Sequence, residues 1–330
     1  MPLKGKIIKS ISGFYEVYTD SSMNTEADMT GAGGIVCDAA GLVYRCRAKG
    51  VLRALHQKPL VGDDVLFDVT DTAAVPPEGN VVSLLPRRNE LVRPYVANVD
   101  QACLLFAITN PAPSYNMLDR FLISMKIKGL PAVLCFNKLD LASEERIREL
   151  REVYEQCGCR VLFISTKDPD SLEELRRILR GKTSVITGPS GAGKSSLINR
   201  LIPGSRRETG ELSRKIARGR NTTRTVELLA AGNDTYLVDT PGFTSLYLQD
   251  IEAEDVKAYY PEFVRVQEQC RFQGCNHLAE PGCAVKAALR DGEISCIRYQ
   301  NYTEIFAELK DRKPIYRKRD LSKPEFAKKR

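Results

Sequence analysis

A glycine-rich stretch that follows a short apolar run constrains the fold of this chain most. Residues 184–187 form the apolar run, residues 188–195 read Gly-Pro-Ser-Gly-Ala-Gly-Lys-Ser, and residues 196–201 have a helical pattern. Strand, glycine-rich turn and helix in this order predict a phosphate-binding loop, because backbone amides and a helix N-terminus can surround phosphate oxygens. We expect Lys194 to reach the β- and γ-phosphates and Ser195 to bind Mg²⁺. Taken alone, the loop fits ATP as well as GTP.

A second motif lies upstream of this loop and selects between the two nucleotides. Residues 137–140 read Asn-Lys-Leu-Asp and follow a predicted strand over residues 132–136. Asp140 can accept hydrogen bonds from N1–H and the exocyclic amine of guanine, whereas adenine offers no such pair of donors. We expect Asn137 to brace two loops and the stem of Lys138 to cover the base. The motif therefore favours a guanine nucleotide.

Three further segments match motifs of a GTPase: a Ser-Thr-Lys segment, an Asp-Thr-Pro-Gly segment and a threonine-containing loop between them. Residues 165–167, Ser-Thr-Lys, leave a predicted strand beside the base motif, and residues 239–242, Asp-Thr-Pro-Gly, follow a predicted strand over 235–238. Asp239 can hold Mg²⁺ through water, and the amide of Gly242 can meet the γ-phosphate. A threonine between these segments can complete Mg²⁺ coordination when γ-phosphate is bound. We favour Thr223 for this role, with Thr222 as the alternative.

The order of these motifs is the informative part. The base motif and the Ser-Thr-Lys segment precede the phosphate loop, whereas an ordinary GTPase begins with that loop; the chain is therefore a circular permutation. The predicted GTP-binding residues are Asn137, Lys138, Leu139, Asp140, Ser165, Thr166, Lys167, Gly188, Pro189, Ser190, Gly191, Ala192, Gly193, Lys194, Ser195, Ser196, Asp239 and Gly242. Phe243 stands where Ras-like proteins carry a water-orienting Gln, so we expect slow intrinsic hydrolysis.

The segments around the motifs predict three domains in different classes. Residues 1–85 alternate apolar and polar side chains in about five short strands, which indicates a small RNA-binding β-barrel, either an OB-fold or an SH3-like barrel. Residues 86–98 are expected to be a linker. Residues 99–248 alternate strands and helices, which predicts an α/β GTPase domain in which Ser143 and Ser171 cap two helices. Residues 249–309 are expected to be helical.

A cysteine cluster in the helical region has the composition of a zinc site. Cys270, Cys275, His277 and Cys283 lie within 14 residues, and three thiolates with one imidazole form a closed ligand set for one structural Zn²⁺. Cys296 falls on a later helix and is excluded from the set. His56 receives no role.

Charge is concentrated at the C-terminal end. Residues 310–330 contain ten Lys or Arg and three Asp or Glu, so this tail accounts for the net charge of +7 of the chain. Such a tail indicates an anionic partner, and we expect that partner to be RNA. No apolar run reaches the roughly 18 residues of a membrane span. We therefore expect a cytoplasmic protein without a membrane partner.

The chain resembles the circularly permuted ribosome small subunit-dependent GTPase A family. The resemblance rests on residues 61–63 (Val-Gly-Asp), the permuted order of the motifs, and the Cys₃His set with Glu-Pro-Gly at 280–282, and it covers nearly the whole chain. It implies an N-terminal OB-fold, a GTPase core and a zinc domain. It also implies binding of GTP and GDP, binding to the 30S subunit and its 16S rRNA, a role in late 30S maturation, and stimulation of hydrolysis by that subunit. We expect a monomer.

One departure from the family concerns catalysis. The family's switch loop usually has a His before its threonines, and this chain has Asn221 there. Asn can position water but cannot act as a general base, so the predicted catalytic residues are Lys194, Ser195, Asn221 and Thr223. Gly191 stands where potassium-dependent relatives usually carry Asn, which disfavours potassium dependence. The competing hypothesis is a GTP-regulated RNA-binding module in which hydrolysis is incidental.

Overall fold

One continuous sheet joins the N-terminal barrel to the α/β region. The computed structural model describes residues 2–20, 23–24, 36–37, 41–50, 52, 58–92, 95–202, 226–232, 234–239, 248 and 251–312. Its strands are β1 (Leu3–Ile11), β2 (Phe14–Asp20), β3 (Val36–Cys37), β4 (Gly41–Ala48), β5 (Asp64–Asp71), β6 (Glu78–Leu84), β7 (Glu90–Val92), β8 (Tyr95–Ala97), β9 (Gln101–Ala107), β10 (Ala132–Asn137), β11 (Arg160–Phe163), β12 (Thr183–Thr187), β13 (Glu227–Ala230) and β14 (Tyr236–Asp239).

Five strands close the barrel in the order β1-β2-β4-β6-β5, and β5 pairs back onto β1. The pairs are antiparallel except β4 with β6, which run parallel. A five-stranded Greek-key barrel that closes through a parallel pair of its third and fifth long strands is an OB-fold rather than an SH3-like barrel. Alternate side chains of β4 and β5 are buried, among them Tyr44, Cys46, Val65 and Phe67. Their burial confirms the period-2 pattern of the sequence.

The segment expected to be a linker contains a hairpin that is anchored to the barrel. Strands β7 and β8 pair antiparallel. Arg87 makes a bidentate ion pair with the fully buried Asp63, at 2.6 Å from Nε to Oδ1 and 2.8 Å from Nη2 to Oδ2. The side chain of Asn98 donates to the carbonyl of Gly62 at 3.1 Å. Residues 61–63 thus connect the barrel to the start of the α/β region.

The α/β region has a mostly parallel sheet in the order β11-β10-β9-β12-β14-β13, in which only β13 is antiparallel. Its edge strand β13 reaches the barrel, where Lys9 pairs with Glu227. The strand before the phosphate loop, β12, lies in the middle between β9 and β14. The sheet therefore places the carboxyl ends of β10, β11, β12 and β14 along one edge, although the chain visits them in permuted order.

Helices cover both faces of this sheet. The helices are α1 (Tyr115–Ile127), α2 (Glu144–Tyr154), α3 (Glu173–Leu179), α4 (Lys194–Leu201), α5 (Pro261–Val264), α6 (Ala284–Arg290) and α7 (Cys296–Asp311). Helices α1 and α2 share a core with Leu104 and Phe106 of β9, whereas α3 and α4 pack with Leu105 on the other face. Ser143 caps α2 as expected, since its side chain accepts from the amide of Arg146. Among the described helices, none is long and apolar enough to cross a membrane.

The C-terminal region packs on α1 of the α/β region through a buried ionic group. Arg298 of α7 contacts the carboxylates of Asp119 in α1 and Glu262 in α5. Asn301 donates to Asp119 at 2.8 Å. Burial raises the pKa of Asp119, although the Arg298 guanidinium opposes that shift. The group joins the helix that follows β9 to the region that carries the cysteine cluster.

Candidate nucleotide site and candidate zinc centre

The phosphate loop lies between the end of β12 and the start of α4, as the sequence predicts. Gly193 precedes α4 with φ of +97°, and an ideal Cβ at this residue would lie 2.3 Å from Nδ2 of Asn137. Only glycine satisfies both the backbone conformation and this close approach. The loop is therefore shaped by its contact with the base motif as well as by its own turn.

Asn137 connects the base motif to two loops. Its Nδ2 donates to the carbonyl of Ala192 at 2.8 Å, and its Oδ1 accepts from the amide of Thr166 at 3.2 Å. Asn137 and Ala192 are both buried. Because one amide group bonds to both loops, a shift of either loop disturbs the other. The structure thus gives Asn137 the bracing contacts that its motif predicts.

Asp140 is held by the two residues expected beside the guanine. Ser165 donates to Oδ1 at 2.7 Å, and Lys167 lies 2.8 Å from Oδ2. The Lys167 ammonium and then the Ser165 hydroxyl hold the pKa of Asp140 below its usual range. The carboxylate is therefore ionised at neutral pH and its position is fixed.

The structure corrects the expected role of Ser171. Helix α3 begins at Glu173 rather than at a Ser171 cap, and Ser171 lies in a 3-10 turn over Asp170–Leu172. The Ser171 hydroxyl accepts from the amide of Ser165 at 2.9 Å and donates to the carbonyl of Asp168 at 2.8 Å. The side chain therefore bonds across the Ser-Thr-Lys loop, and this longer-range contact replaces local capping.

Two contacts around the site were not expected from the sequence. The Lys138 ammonium donates to the carbonyl of Asn110, in the loop between β9 and α1, while Lys138 has φ of +68°. Pro111 of the same loop would lie 3.2 Å from a Cβ added at Gly191. An Asn-Pro dipeptide directly after a strand of the sheet was the available signal. This loop forms another wall of the site.

Lys194 lies over the phosphate loop. Its Nζ donates to the carbonyls of Gly188 and Pro189, both at 2.8 Å. Its ammonium is therefore positioned at the same loop that is expected to hold the phosphates.

Several predicted residues lie outside the described residues. These are Asn221, Thr222, Thr223, Gly242, Phe243, His56 and the tail from residue 313. Asp239 is the last residue of β14, and its backbone pairs with β12 and β13. The backbone places Asp239 at the edge of the sheet where β12 enters the phosphate loop.

The cysteine cluster assembles all four predicted ligands. The ligand atoms of Cys270, Cys275, His277 and Cys283 lie within 4.8 Å of one another. Nδ1 of His277 lies 3.4 Å from Sγ of Cys283 and 3.7 Å from Sγ of Cys270. Zinc–sulfur bonds of about 2.3 Å at tetrahedral angles would separate ligand atoms by roughly 3.8 Å. The donor set and its spacing therefore fit Zn²⁺.

The surroundings of the cluster favour a bound cation. Burial raises the pKa of the Cys275 thiol to about 11, and burial together with the Lys257 ammonium lowers the pKa of His277 to about 4. The imidazole is thus neutral and can act as a ligand at neutral pH. Buried thiolates, by contrast, need a compensating positive charge, which a divalent ion supplies.

Backbone and carboxylate contacts hold the ligand loop in place. The amide of Ala284 donates to Sγ of Cys270 at 3.3 Å. Glu280 accepts from the amides of Asn276 and Leu278, both at 2.8 Å. Glu280 therefore fixes the turn on which His277 lies, in the manner of an outer-shell residue of a metal site.

Known proteins are similar to this chain over nearly its whole length. A family model described as RsgA GTPase matches residues 84–249, and a model of the RsgA N-terminal domain matches residues 36–74. A protein of Agathobacter rectalis named small ribosomal subunit biogenesis GTPase RsgA is 46% identical over 310 residues, which cover 94% of this chain and 99% of that protein. A protein of the same name from Bacillus anthracis is 40% identical over 317 residues and covers 95% of this chain and 99% of its own length.

Solved structures with the same architecture cover nearly the whole chain. The circularly permuted GTPase YloQ is 35% identical, has a TM-score of 0.71, and covers 96% of this chain and 98% of its own. YjeQ from Thermotoga maritima is 34% identical, has a TM-score of 0.72, and covers 95% of this chain and 100% of its own. This chain therefore belongs to the RsgA GTPase family, and it is a circularly permuted GTP hydrolase.

Proposed function

We propose that this GTPase acts in late maturation of the 30S ribosomal subunit and that the subunit stimulates its hydrolysis of GTP. The names of the relatives support the choice of the small subunit. The observation that carries the nucleotide assignment is the bond from Asn137 to Ala192, because it joins a guanine motif to a phosphate loop in permuted order. The proposal is that the two loops bind one GTP or GDP molecule between them.

We assign the base to one end of the site and the phosphates to the other. Asp140 would accept from guanine N1–H and the exocyclic amine, and the stem of Lys138 would cover the ring. Backbone amides within residues 188–195, other than that of Pro189, which has no N–H, would bind the phosphates, for which the Lys194 ammonium would leave its two carbonyls. Residues of the predicted nucleotide set that complete this assignment are Leu139, Ser165, Thr166, Lys167, Ser196, Asp239 and Gly242.

Magnesium and the hydrolytic water are assigned to the phosphate end. Ser195 and Thr223 would bind Mg²⁺, and Asp239 would hold it through water. Asn221 would position the water without removing its proton. Since neither Asn221 nor Phe243 is a general base, the proposal includes a low intrinsic rate and a contribution from the bound subunit.

The outer face of the barrel supports a contact with RNA. The guanidinium carbons of Arg45 and Arg47 lie 4.2 and 4.6 Å from the ring centroid of Phe14. Both arginines are exposed on β4, and Phe14 is half-buried on β2. The guanidinium planes held over this ring can stack on bases and contact phosphates. We propose that this cluster binds 16S rRNA together with the basic tail over residues 310–330.

This RNA contact can be tested with one substitution and a matched control. Arg45→Ala should weaken binding of 16S rRNA about fivefold, corresponding to the loss of ~1 kcal/mol. Arg160→Ala removes an equally exposed arginine at the far edge of the sheet, where it pairs with Glu174, and should leave binding unchanged. An equal loss in both variants would show that general charge, not this cluster, binds the RNA.

The remaining assignments follow from the same architecture. We propose residues 1–85 as the RNA-binding barrel, 99–248 as the GTPase domain and 249–309 as a domain held by one structural Zn²⁺, with 86–98 as the connection. The Cys₃His set supports a closed zinc site with no role in hydrolysis. We further propose a monomer that works in the cytoplasm.

The decisive experiment measures GTP turnover with and without purified 30S subunits. We expect a low rate for the protein alone and a higher kcat when subunits are added. Thr223→Ala should remove the stimulated rate, because its hydroxyl would couple Mg²⁺ to the γ-phosphate. If Thr223→Ala kept full stimulation, the assignment of that residue would be wrong.

The same assay separates the proposal from its competitor. Turnover unchanged by 30S subunits, with RNA binding retained, would favour a GTP-regulated RNA-binding module in which hydrolysis is incidental. Asn221 and Phe243 predict slow intrinsic hydrolysis, and slow hydrolysis is also what an RNA-binding module with incidental GTPase activity would show.

A further inference from the structure

Two cysteines in one tight turn bring their sulfurs together away from both sites described above. Cys157 and Cys159 lie between α2 and β11, and their Sγ atoms are 3.3 Å apart. Gly158 between them has φ of +80°, which lets the chain reverse over a single residue. Cys157 is 1% exposed, whereas Cys159 is half-buried. One sulfur of the pair is thus reachable and the other lies directly behind it.

Charged groups around the turn act on both sulfurs. The cations are Lys126 of α1 and Arg298 of α7, and the nearby carboxylate is Glu262 of α5. The two thiols share one S–H···S hydrogen bond in which either sulfur can donate, so ionisation of one thiol is stabilised by the S–H group of the other. Access therefore decides which sulfur meets a reagent first, and the half-buried Cys159 is the reachable one.

A second cysteine pair in the same chain shows what this turn adds. Sγ of Cys103 in β9 lies 3.6 Å from Sγ of Cys135 in β10, nearly the same separation. Both of these residues are 0% exposed. The hydrogen bond that it shares with Cys103, together with complete burial, raises the pKa of Cys135 well above its usual value. Both pairs thus have neighbouring sulfurs, but of these four cysteines only Cys159 offers a reagent access to its sulfur.

We propose that Cys157 and Cys159 are a redox-active dithiol that small disulfides oxidise reversibly to an intrachain disulfide. The Cys159 thiolate attacks the small disulfide, forms a mixed disulfide and releases one small thiolate. Cys157 then attacks Sγ of Cys159, the mixed S–S bond breaks, and the second small thiolate leaves. Two electrons pass from the cysteine pair to the small disulfide, and the two cysteine protons end on the two released thiols.

The position of the turn gives this modification a structural consequence. A Cβ added at Gly158 would lie 2.7 Å from Cγ of Pro261, the first residue of α5. Gln156 accepts from Arg265 at 2.7 Å. Closing the disulfide shortens the Sγ–Sγ separation to about 2.05 Å. The turn that supports α5 must tighten, so oxidation acts at the seam between the GTPase region and the zinc-ligand region.

The test uses the full-length protein equilibrated in mixtures of reduced and oxidised glutathione. Thiols are trapped by acid and alkylation, the protein is digested with trypsin, and zinc content is recorded in the same samples. Cleavage after Arg151 and Arg160 places both cysteines in the peptide 152–160. As the redox potential of the glutathione mixture rises, we expect this peptide to lose two hydrogens and to resist alkylation. The ratio of oxidised to reduced peptide should change tenfold per roughly 30 mV. Dithiothreitol should reverse the change.

The internal pair and a variant serve as controls. The peptides with Cys103 and Cys135 should remain alkylated throughout, and Cys159→Ser should abolish the loss of two hydrogens. Oxidation of Cys103 and Cys135 at the same potential would overturn the proposal. So would a peptide 152–160 that stays reduced, that keeps glutathione without closing, or that closes only after zinc is lost. These outcomes are measured on the wild-type protein, so they do not depend on whether Cys159→Ser folds.

Discussion

The side chain of Asn137 donates a hydrogen bond to the backbone carbonyl of Ala192, 2.8 Å away, across 55 residues of sequence. The same amide group accepts from the backbone of Thr166. Three loops that follow three different strands are therefore held by one buried side chain. Because guanine recognition and phosphate binding share this brace, a defect in one loop should reach the other.

Gly193→Ala should weaken GDP binding by at least about 30-fold. The added Cβ would lie 2.3 Å from Nδ2 of Asn137 on a backbone with φ of +97°. The backbone strain costs ~1 kcal/mol or more, and displacing Asn137 leaves the Ala192 carbonyl unpaired at a cost of ~1 kcal/mol or more. Titration with a fluorescent GDP analogue measures the loss.

Gly181→Ala is the matched control for backbone strain. Gly181 has φ of +68°, and a Cβ there meets nothing within 4 Å. It should lower stability without changing the affinity for GDP. Wild-type affinity in Gly193→Ala would show that the contact with Asn137 is dispensable.

Lys167→Ala should shift the acid limit of GDP binding to higher pH. Lys167 and Ser165 hold the pKa of Asp140 below its usual value. The carboxylate therefore stays ionised until the pH falls through this depressed pKa, and guanine binding is lost only below it. Without the Lys167 ammonium the pKa rises, so affinity should begin to fall at a higher pH. Affinities measured across an acidic pH series test the direction.

Arg180→Ala controls for the loss of one cation. Arg180 is exposed and lies just before β12, at the opposite edge of the sheet from Asp140. Its pH profile should coincide with that of the wild type. An unchanged profile in Lys167→Ala would mean that Lys167 does not set the protonation of Asp140.

Arg298→Met should destabilise the protein by ~3–5 kcal/mol, because two buried carboxylates lose their cation. Nε of Arg298 lies 2.8 Å from Glu262, and the side chains of Arg298, Asp119 and Glu262 are 3%, 0% and 4% exposed. Urea unfolding followed by far-UV circular dichroism measures the effect.

Arg120→Met removes an arginine from the same helical interface at its surface. Arg120 pairs with Glu308, whose side chain is 53% exposed, so the loss should be ~0–1 kcal/mol. If Arg298→Met and Arg120→Met lowered the free energy of unfolding equally, the larger effect expected at the buried group would be wrong.

Cys283→Ser should release zinc and loosen the C-terminal region. Structural zinc sites contribute roughly 10–16 kcal/mol of binding free energy, so a chelator should have the same effect on the wild type. Metal analysis and limited proteolysis of residues 251–312 report the two consequences. Cys296→Ser, at an exposed cysteine outside the cluster, should keep one zinc ion and the wild-type cleavage pattern. Zinc retained by Cys283→Ser at full occupancy would remove Cys283 from the ligand set.

Local sequence patterns were sufficient for the motifs and for most of the elements. Each motif is short: the glycine-rich turn, the Asn-Lys-Leu-Asp motif and the Cys₃His set. Within such short segments, backbone geometry and ligand chemistry determine which residue types can occur. The permuted order and the Cys₃His cluster could therefore be read directly: relatives confirm the first, and the structure brings the four ligand atoms of the second together. The roles of Asn221 and Thr223 stay predictions.

Tertiary structure alone decided the contacts between distant segments. Alternation along a strand shows which face is buried but not its neighbours, so only the parallel pairing of β4 with β6 distinguished the OB-fold from the SH3-like barrel. Asp119 and Arg298 are 179 residues apart, and Ser171 bonds across a loop instead of capping its helix. Such contacts depend on how the sheet and helices pack, because the energy of burying a charge or hydroxyl is set by partners that no local pattern contains.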